Sequence, residues 1–145
     1  LPVSPHPNWV TPRGLAALRD RLEAVRAALA HLKARTDRLD RLPEKAAERD
    51  IRYLEARLAS AIPVDPAGQP KDEAAFGARV TVADDEGRET VYEIVGEDEA
   101  DAARNLIAPQ SPLARALIGA HVGDVVEWRR PAGTVELEVI AITYG

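Results

Sequence analysis

LAALRDRLEAVRAALAHL, residues 15–32, sets aliphatic side chains at alternating steps of three and four: Leu15, Leu18, Leu22, Val25, Leu29 and Leu32. The series runs through polar Thr36 to Leu39 and resumes after Pro43 at Ala47, Ile51, Leu54, Leu58 and Ala61. A period of about 3.5 residues is the seam of a left-handed coiled coil. Because the run breaks at a short charged segment and resumes on the same period, it predicts one helix doubling back on its neighbour. The expected element is an antiparallel coiled-coil hairpin over residues 11–61, bent near Asp37 to Pro43, with acids at its tip.

Outside this arm the chain has the composition of an ordinary globular protein. It has 145 residues, 46% hydrophobic, with aromatics at only 4%, so aliphatic residues must fill the core. The absence of cysteine excludes disulfides, thiolate metal sites and a cysteine nucleophile. No apolar run approaches the ~20 residues of a spanning helix. The chain opens at Leu1 without a signal-like apolar segment, and cytoplasm is the expected compartment.

The net charge of -5 hides an asymmetry. Residues 11–61 hold 12 Lys/Arg against 8 Asp/Glu, whereas residues 62–145 hold 7 against 16. Acids concentrate from Asp84 to Asp101. Such a half repels nucleic-acid phosphates and suits a basic protein partner, or else it is a solvated acidic face that aids solubility.

Residues 1–10 are proline-rich and read as a loose tail, with Trp9 and Val10 anchoring the entrance to the first helix. Thr11 before Pro12 reads as an N-cap followed by proline at the first helical position. Gly14, in the first turn, marks either close packing or a tolerated glycine near a fraying end. Residues 62–75, with Pro63, Pro66, Gly68 and Pro70, cannot continue a helix and read as a linker.

From Phe76 the period changes to two. Phe76 to Val82 and Thr90 to Gly96 read as paired strands around an Asp84 to Gly87 turn, and Asn105 to Ala108 as a short third strand. Ser111 and Pro112 open a helix that Gly119 closes. Val122 to Arg129 and Thr134 to Tyr144 form a last hairpin, with Val135, Leu137, Val139 and either Ala141 or Ile142 facing inward. The expected class is α+β, the helical hairpin followed by a mostly antiparallel β domain over residues 76–145 with one short helix.

Candidate chemistry is sparse. His6, His31 and His121 are scattered over three regions and do not form a zinc pattern. None of Ser4, Ser60 and Ser111 sits in a nucleophile elbow, and Ser111 reads first as a helix cap. No glycine-rich phosphate loop is present, so an enzyme with a self-contained active site is not expected. At the bend, Asp37 and Asp40 stand three residues apart with Glu44 close behind. Two such acids can lie on one side of a turn and share a divalent cation or position a water, provided a second partner supplies the other ligands. The competing reading is helix-end chemistry, with Asp40 capping the helix that Pro43 begins.

Several segments together resemble the Gre transcript-cleavage factors of bacteria. Asn8-Trp9-Val10-Thr11-Pro12-Arg13-Gly14-Leu15 resembles that family's helix entry, Ile51-Arg52-Tyr53-Leu54 its second helix, and Phe76-Gly77-Ala78-Arg79-Val80 its first strand after the linker. The most specific blocks are Ile94-Val95-Gly96-Glu97-Asp98-Glu99-Ala100-Asp101, Ser111-Pro112-Leu113-Ala114-Arg115-Ala116-Leu117, and Val122-Gly123-Asp124 with Pro131-Ala132-Gly133. They occur in the family's order over nearly the whole chain.

The resemblance implies a coiled-coil finger joined to a domain of the FK506-binding-protein type. It implies a monomer that docks on RNA polymerase beside the secondary channel and regulates elongation, meeting nucleic acid only through the elongation complex. Ser111, Pro112 and Arg115 fall in the segment implicated in polymerase contact. At the family's tip an Asp and a Glu three residues apart help hold the polymerase's second magnesium and a water, so the polymerase cleaves its own backtracked RNA. No cofactor is expected on the free chain.

The tip departs from the family's pattern, Gly-Asp-x-x-Glu-Asn-Ala-(Glu or Asp)-Tyr. Here it reads Thr36-Asp37-Arg38-Leu39-Asp40-Arg41-Leu42-Pro43. Matching Asp37 to the Asp and Asp40 to the Glu preserves a shortened acid pair without the flanking Gly, Asn and Tyr. Each arm is also shorter by roughly one heptad, which at ~1.5 Å per residue withdraws the tip by about 10 Å. Metal coordination needs approach to ~2.1 Å, so the resemblance favours channel occlusion or weak stimulation of cleavage. Two alternatives stand beside it: a short-finger regulator acting through another protein, as the regulator of nucleoside diphosphate kinase does, and a prolyl isomerase, for which the domain is poor in aromatics.

Overall fold

The computed structural model describes residues 4–35 and 40–144. Helix α1 spans Pro12–Lys33 and helix α2 Leu42–Ser60. Thr11 caps α1 as its sequence requires, its Oγ1 accepting the Gly14 N–H at 3.0 Å, with Pro12 inside the start. Arg35 meets Glu44 at one end of the pair and Arg26 meets Glu55 further along, so the helices run antiparallel. Leu18, Leu22 and Leu54 are buried between them together with Val10, and Leu15, Val25, Ile51 and Leu58 pack around that cluster. Each fully buried side chain of this kind contributes about 1.5–3 kcal/mol. The aliphatic stripe therefore holds the pair together.

The first ten residues are not all loose. Strand β1, Trp9–Val10, pairs in parallel with β2, Ile62–Pro63. The Ile62 N–H donates to the Asn8 carbonyl at 2.8 Å and the Val64 N–H to that of Val10 at 3.0 Å. Asn8 and Val10 are buried. Their burial and the carbonyls of Asn8 and Val10, which accept these two N–H groups, override the polar, proline-rich composition that suggested a tail.

The same correction applies to residues 62–75, which do not run free. Asp65 caps a 3-10 turn at Pro66–Gly68. The Ala74 N–H donates to the Ala120 carbonyl, and Gly119 N–H returns a bond to the Ala74 carbonyl. The Tyr144 hydroxyl donates to the Glu73 carbonyl at 2.6 Å and accepts the Ala75 N–H at 2.9 Å.

Five strands form a curled sheet in the order β5-β4-β3-β7-β6. They are β3 (Ala78–Ala83), β4 (Glu89–Ile94), β5 (Leu106–Ile107), β6 (Val125–Arg130) and β7 (Gly133–Tyr144). Asp84 builds the β3–β4 turn, its Oδ1 accepting the N–H groups of Glu86 and Arg88. These bonds, Arg88's first, hold its carboxyl below the ordinary carboxylate value. The sheet is mostly antiparallel, as expected, and β5 alone joins its neighbour β4 in parallel, because residues 95–105 cross over before the chain returns.

One short helix, α3 (Pro112–Leu117), covers the sheet. Val80, Val82, Leu113, Leu117, Leu137 and Val139 form the core between them. Between Thr81 and Val82 the β3–β7 register slips, so Val82 faces Val139 while Val80 faces Ile142. The bulge settles which residue continues the inward face: Ile142 packs on the core. Among the described residues no helix is long and apolar enough to cross a membrane.

Candidate functional site

Three places on the molecule hold the residues that the sequence singles out: the arm tip, the joint between arm and sheet, and the exposed side of α3. At the tip, Asp37 lies outside the described residues. Asp40 is exposed, and its Oδ1 accepts the Leu42 N–H at 3.0 Å. That bond satisfies one of the orphan donors at the start of α2, so Asp40 performs the helix-end role, one residue before the formal cap at Arg41.

Glu44 does not face outward with it. Its side chain is 5% exposed, with Oε1 at 3.8 Å from Arg35 Nη2. Glu44 continues the seam backward from Ala47 and Ile51 by steps of three and four, and that helical phase turns it into the pair. Arg35 is the residue that sequence reasoning passed over. It donates from Nε to the Leu32 carbonyl at 3.0 Å and from Nη2 to the Asp40 carbonyl at 3.1 Å, clasping the end of α1 to the start of α2.

Among the described residues no three His, Asp or Glu side chains gather as a metal site. Glu44 does not fit the role of an outward ligand, since its carboxylate is buried beside Arg35. Asp40 alone of the described tip acids presents a carboxylate to solvent.

The joint is a network of side-chain hydrogen bonds between arm and sheet. Arg57, 2% exposed, donates from Nε to Asp98 Oδ2 at 2.6 Å and from Nη2 to Asn8 Oδ1 at 2.7 Å. Asn8 in turn donates to the Arg57 carbonyl at 2.8 Å. The Tyr53 hydroxyl donates to Asp98 Oδ1 at 2.6 Å. Burial first, and then the bond to the Asp98 carboxylate, push the Tyr53 hydroxyl above the ordinary tyrosine value. Glu97 Oε1, buried without a hydrogen bond, lies 3.8 Å from the Arg57 guanidinium.

Glu99 makes a second tie. Its Oε1 accepts the Thr11 hydroxyl at 2.7 Å and its Oε2 the Gly96 N–H at 3.1 Å. Two glycines make room for the approach. A Cβ on Gly14 would stand 2.2 Å from Glu99 Oε2, and one on Gly96 would stand 2.6 Å from the Trp9 carbonyl oxygen. The close packing at Gly14 is therefore real, with a side chain as its partner.

Part of the acidic stretch is thus spent internally. Asp98 and Glu99 tie the arm, Glu93 pairs with Arg13 and Arg79, and Asp101 caps a 3-10 turn at Ala102–Arg104. Opposite charge and helix-end donors at these positions replace the solvated acidic face that composition suggested.

On α3, Ser111 Oγ accepts the Ala114 N–H at 3.3 Å and donates to the Ala108 carbonyl at 2.8 Å. Ser111 is a built cap, with Pro112 at the first helical position. Pro112 and Arg115 are exposed and line a shallow cleft of about 360 Å³ with Ala116, Glu127 and Arg129. This places two arginines together on the half of the chain that is net acidic.

A family model for the C-terminal part of the GreA/GreB transcription elongation factors matches residues 69–144. The chain is 35% identical over 152 positions to transcription elongation factor GreA of Alkalilimnicola ehrlichii, covering 93% of this chain and 96% of that protein. It is 39% identical over 153 positions to transcription elongation factor GreB of Neisseria meningitidis serogroup B, covering 94% of each. Among solved structures, the GreA factor homolog 1 of Thermus thermophilus is 25% identical, with 95% of this chain and 99% of that one covered and a TM-score of 0.44. The two sequence alignments run over 152 and 153 positions, more than the 145 residues of this chain, so both relatives hold residues that it lacks.

Proposed function

The chain belongs to the GreA/GreB family of transcription elongation factors, and from that premise we propose that it binds RNA polymerase at the secondary channel and regulates elongation chiefly by occupying that channel. The globular half, a domain of the FK506-binding-protein type, docks through the α3 side at Ser111, Pro112 and Arg115. The helical pair, a short coiled coil, enters the channel as a monomeric arm. We assign the residues missing from this chain relative to GreA and GreB to that arm, which withdraws its tip.

The observation that carries the reading is the joint. Arg57 and Tyr53 of the arm bond Asp98, and Asn8 holds the Arg57 guanidinium from the other side, a cluster that supports an arm held at a fixed angle rather than one that swings. An arm so held transmits the docking of the globular half into a defined position of its tip.

The tip supports occlusion more than cleavage. In the family the polymerase's magnesium supplies an activated water for phosphodiester hydrolysis. Asp37 and Asp40 are the residues of this chain that would approach it, and Glu44 is turned away. The catalytic centre belongs to the polymerase, and this chain is its accessory.

The test is addition of the purified protein to a stalled, backtracked elongation complex. Slowed synthesis without RNA shortening supports occlusion. Shortening that disappears in Asp37→Ala and Asp40→Ala transfers the function to assisted cleavage. Absence of polymerase binding overturns both and leaves action through a different protein partner.

A further inference from the structure

A cleft of about 450 Å³ lies where α1 crosses β4, away from the tip and the α3 face and bordered on one side by Gly14, Asp98 and Glu99 of the joint. Arginines reach it from three separate elements: Arg13 and Arg21 from α1, Arg79 from β3 and Arg104 from the 3-10 turn. Between the two helical arginines stand Gly14, whose missing Cβ admits the Glu99 side chain, and the small Ala17. The volume falls in the range of small-molecule sites, roughly 300–1,000 Å³.

Three acids share the lining, and each is already engaged. Glu93 takes Arg13 and Arg79, Asp98 takes Arg57 and Tyr53, and Glu99 takes the Thr11 hydroxyl and the Gly96 N–H. Arg21 and Arg104 have no acidic partner among the described residues, and both are exposed. Arg13 and Arg79 keep further N–H donors beyond those given to Glu93, since a guanidinium carries five.

Four guanidinium groups, two from the basic arm and two from the net-acidic sheet half, meet three engaged carboxylates here, which leaves a local concentration of unspent guanidinium donors. Arg13 and Arg21 are eight residues apart on one helix, about 12 Å along its axis at ~1.5 Å per residue. A single oxyanion cannot meet both ends. Guanidinium forks match phosphate oxygens in pairs, and a ligand with two or more phosphate groups spans the gap. Ala17, Leu18 and Leu106 add an apolar wall beside the arginines.

We propose that this cleft binds a small polyphosphate, either inorganic pyrophosphate or the diphosphate end of a nucleotide. Occupancy would lie against the arm and sheet together, since α1 supplies one wall and β4 with its following turn supplies the other. The inference stands apart from the polymerase reading and is tested on the free protein.

The experiment is calorimetric titration of the full chain with pyrophosphate and, separately, with a nucleoside diphosphate, at constant ionic strength with sulfate as control. Saturable one-to-one binding is expected, weakened at least about tenfold in Arg21→Gln and in Arg104→Gln, each change removing one charge-assisted contact. Both side chains are exposed, so an unchanged melting temperature verifies that the variants fold. Equal affinity for the two ligands assigns recognition to the phosphates, and tighter binding of the nucleotide adds the Leu106 wall. Absence of saturable binding, sulfate binding as tightly as pyrophosphate, or undiminished binding in both variants overturns the proposal.

Discussion

Arg57 of α2 and Asp98 of the loop after β4 meet at 2.6 Å across the boundary between arm and sheet, the arginine almost wholly buried. A buried guanidinium is tolerable only with its charge matched and its donors used. Asp98 does the first, Asn8 and Asp98 together do much of the second, and the two halves of the molecule become one unit.

Removing Asp98 strands that charge. Asp98→Ala is expected to lower stability by about 3–5 kcal/mol, the cost of leaving half of a buried pair, read by urea unfolding. Glu97, 3.8 Å from the same guanidinium, is placed to take over in part. A double-mutant cycle with Glu97→Ala should therefore show a combined loss larger than the sum of the single losses.

The two glycines of the joint should respond unequally. Gly14→Ala gains up to ~1 kcal/mol of helix propensity, but it displaces Glu99 from Thr11 and Gly96, bonds worth about 1.5–3 kcal/mol each when a charge is involved. A net loss is expected, turning to neutral or a gain when Glu99→Ala is already present. Gly96→Ala sets Cβ against the Trp9 backbone oxygen, which cannot swing aside, so its loss should be larger and should not be relieved by Glu99→Ala.

Alkaline stability follows from two tyrosines. Burial first, and then the carboxylate of Asp98, raise the Tyr53 hydroxyl; burial first, and then Glu73 and Asp72, raise that of Tyr144, with the Ala75 N–H opposing. A group with a raised folded value contributes stability that is complete below the unfolded value, about 10, and is lost as pH rises through the folded one. Melting temperature should fall above about pH 10, and Tyr53→Phe should remove part of that fall while leaving the contribution of Tyr144.

At the tip, capping and partner roles of Asp40 separate by choice of substitution. Asp40→Ala should cost about 1 kcal/mol through loss of the bond to the Leu42 N–H. Asp40→Asn keeps an acceptor for that N–H and removes the charge. A change of stability in the alanine variant only, with a change of polymerase behaviour in both, assigns the charge to the partner.

The arm was readable because its aliphatic period resumes after the charged break, and Leu18, Leu22, Ala47 and Leu54 are buried where that period puts them. Caps at Thr11 and Ser111 were readable because their hydroxyls act on N–H groups three residues away. Arg57 was not, although it lies three residues after Leu54 and four before Ala61 on the same phase, because an arginine there reads as solvated unless its acid partner, 41 residues on, is known to fold against it. Glu44 misled for a related reason: its nearness in sequence to Asp40 outweighed its phase on the seam. The choice between Ala141 and Ile142 turned on a one-residue slip, which simple alternation does not encode.

The absence of cysteine from the chain makes a single-site label unique. A photo-crosslinker placed by Arg41→Cys beside the tip, on protein added to an elongation complex, measures where the arm ends. The account predicts crosslinks to polymerase segments lining the secondary channel, lost when Asp98→Ala loosens the joint. Crosslinks confined to the polymerase exterior, or none above those of the labelled protein alone, would contradict it.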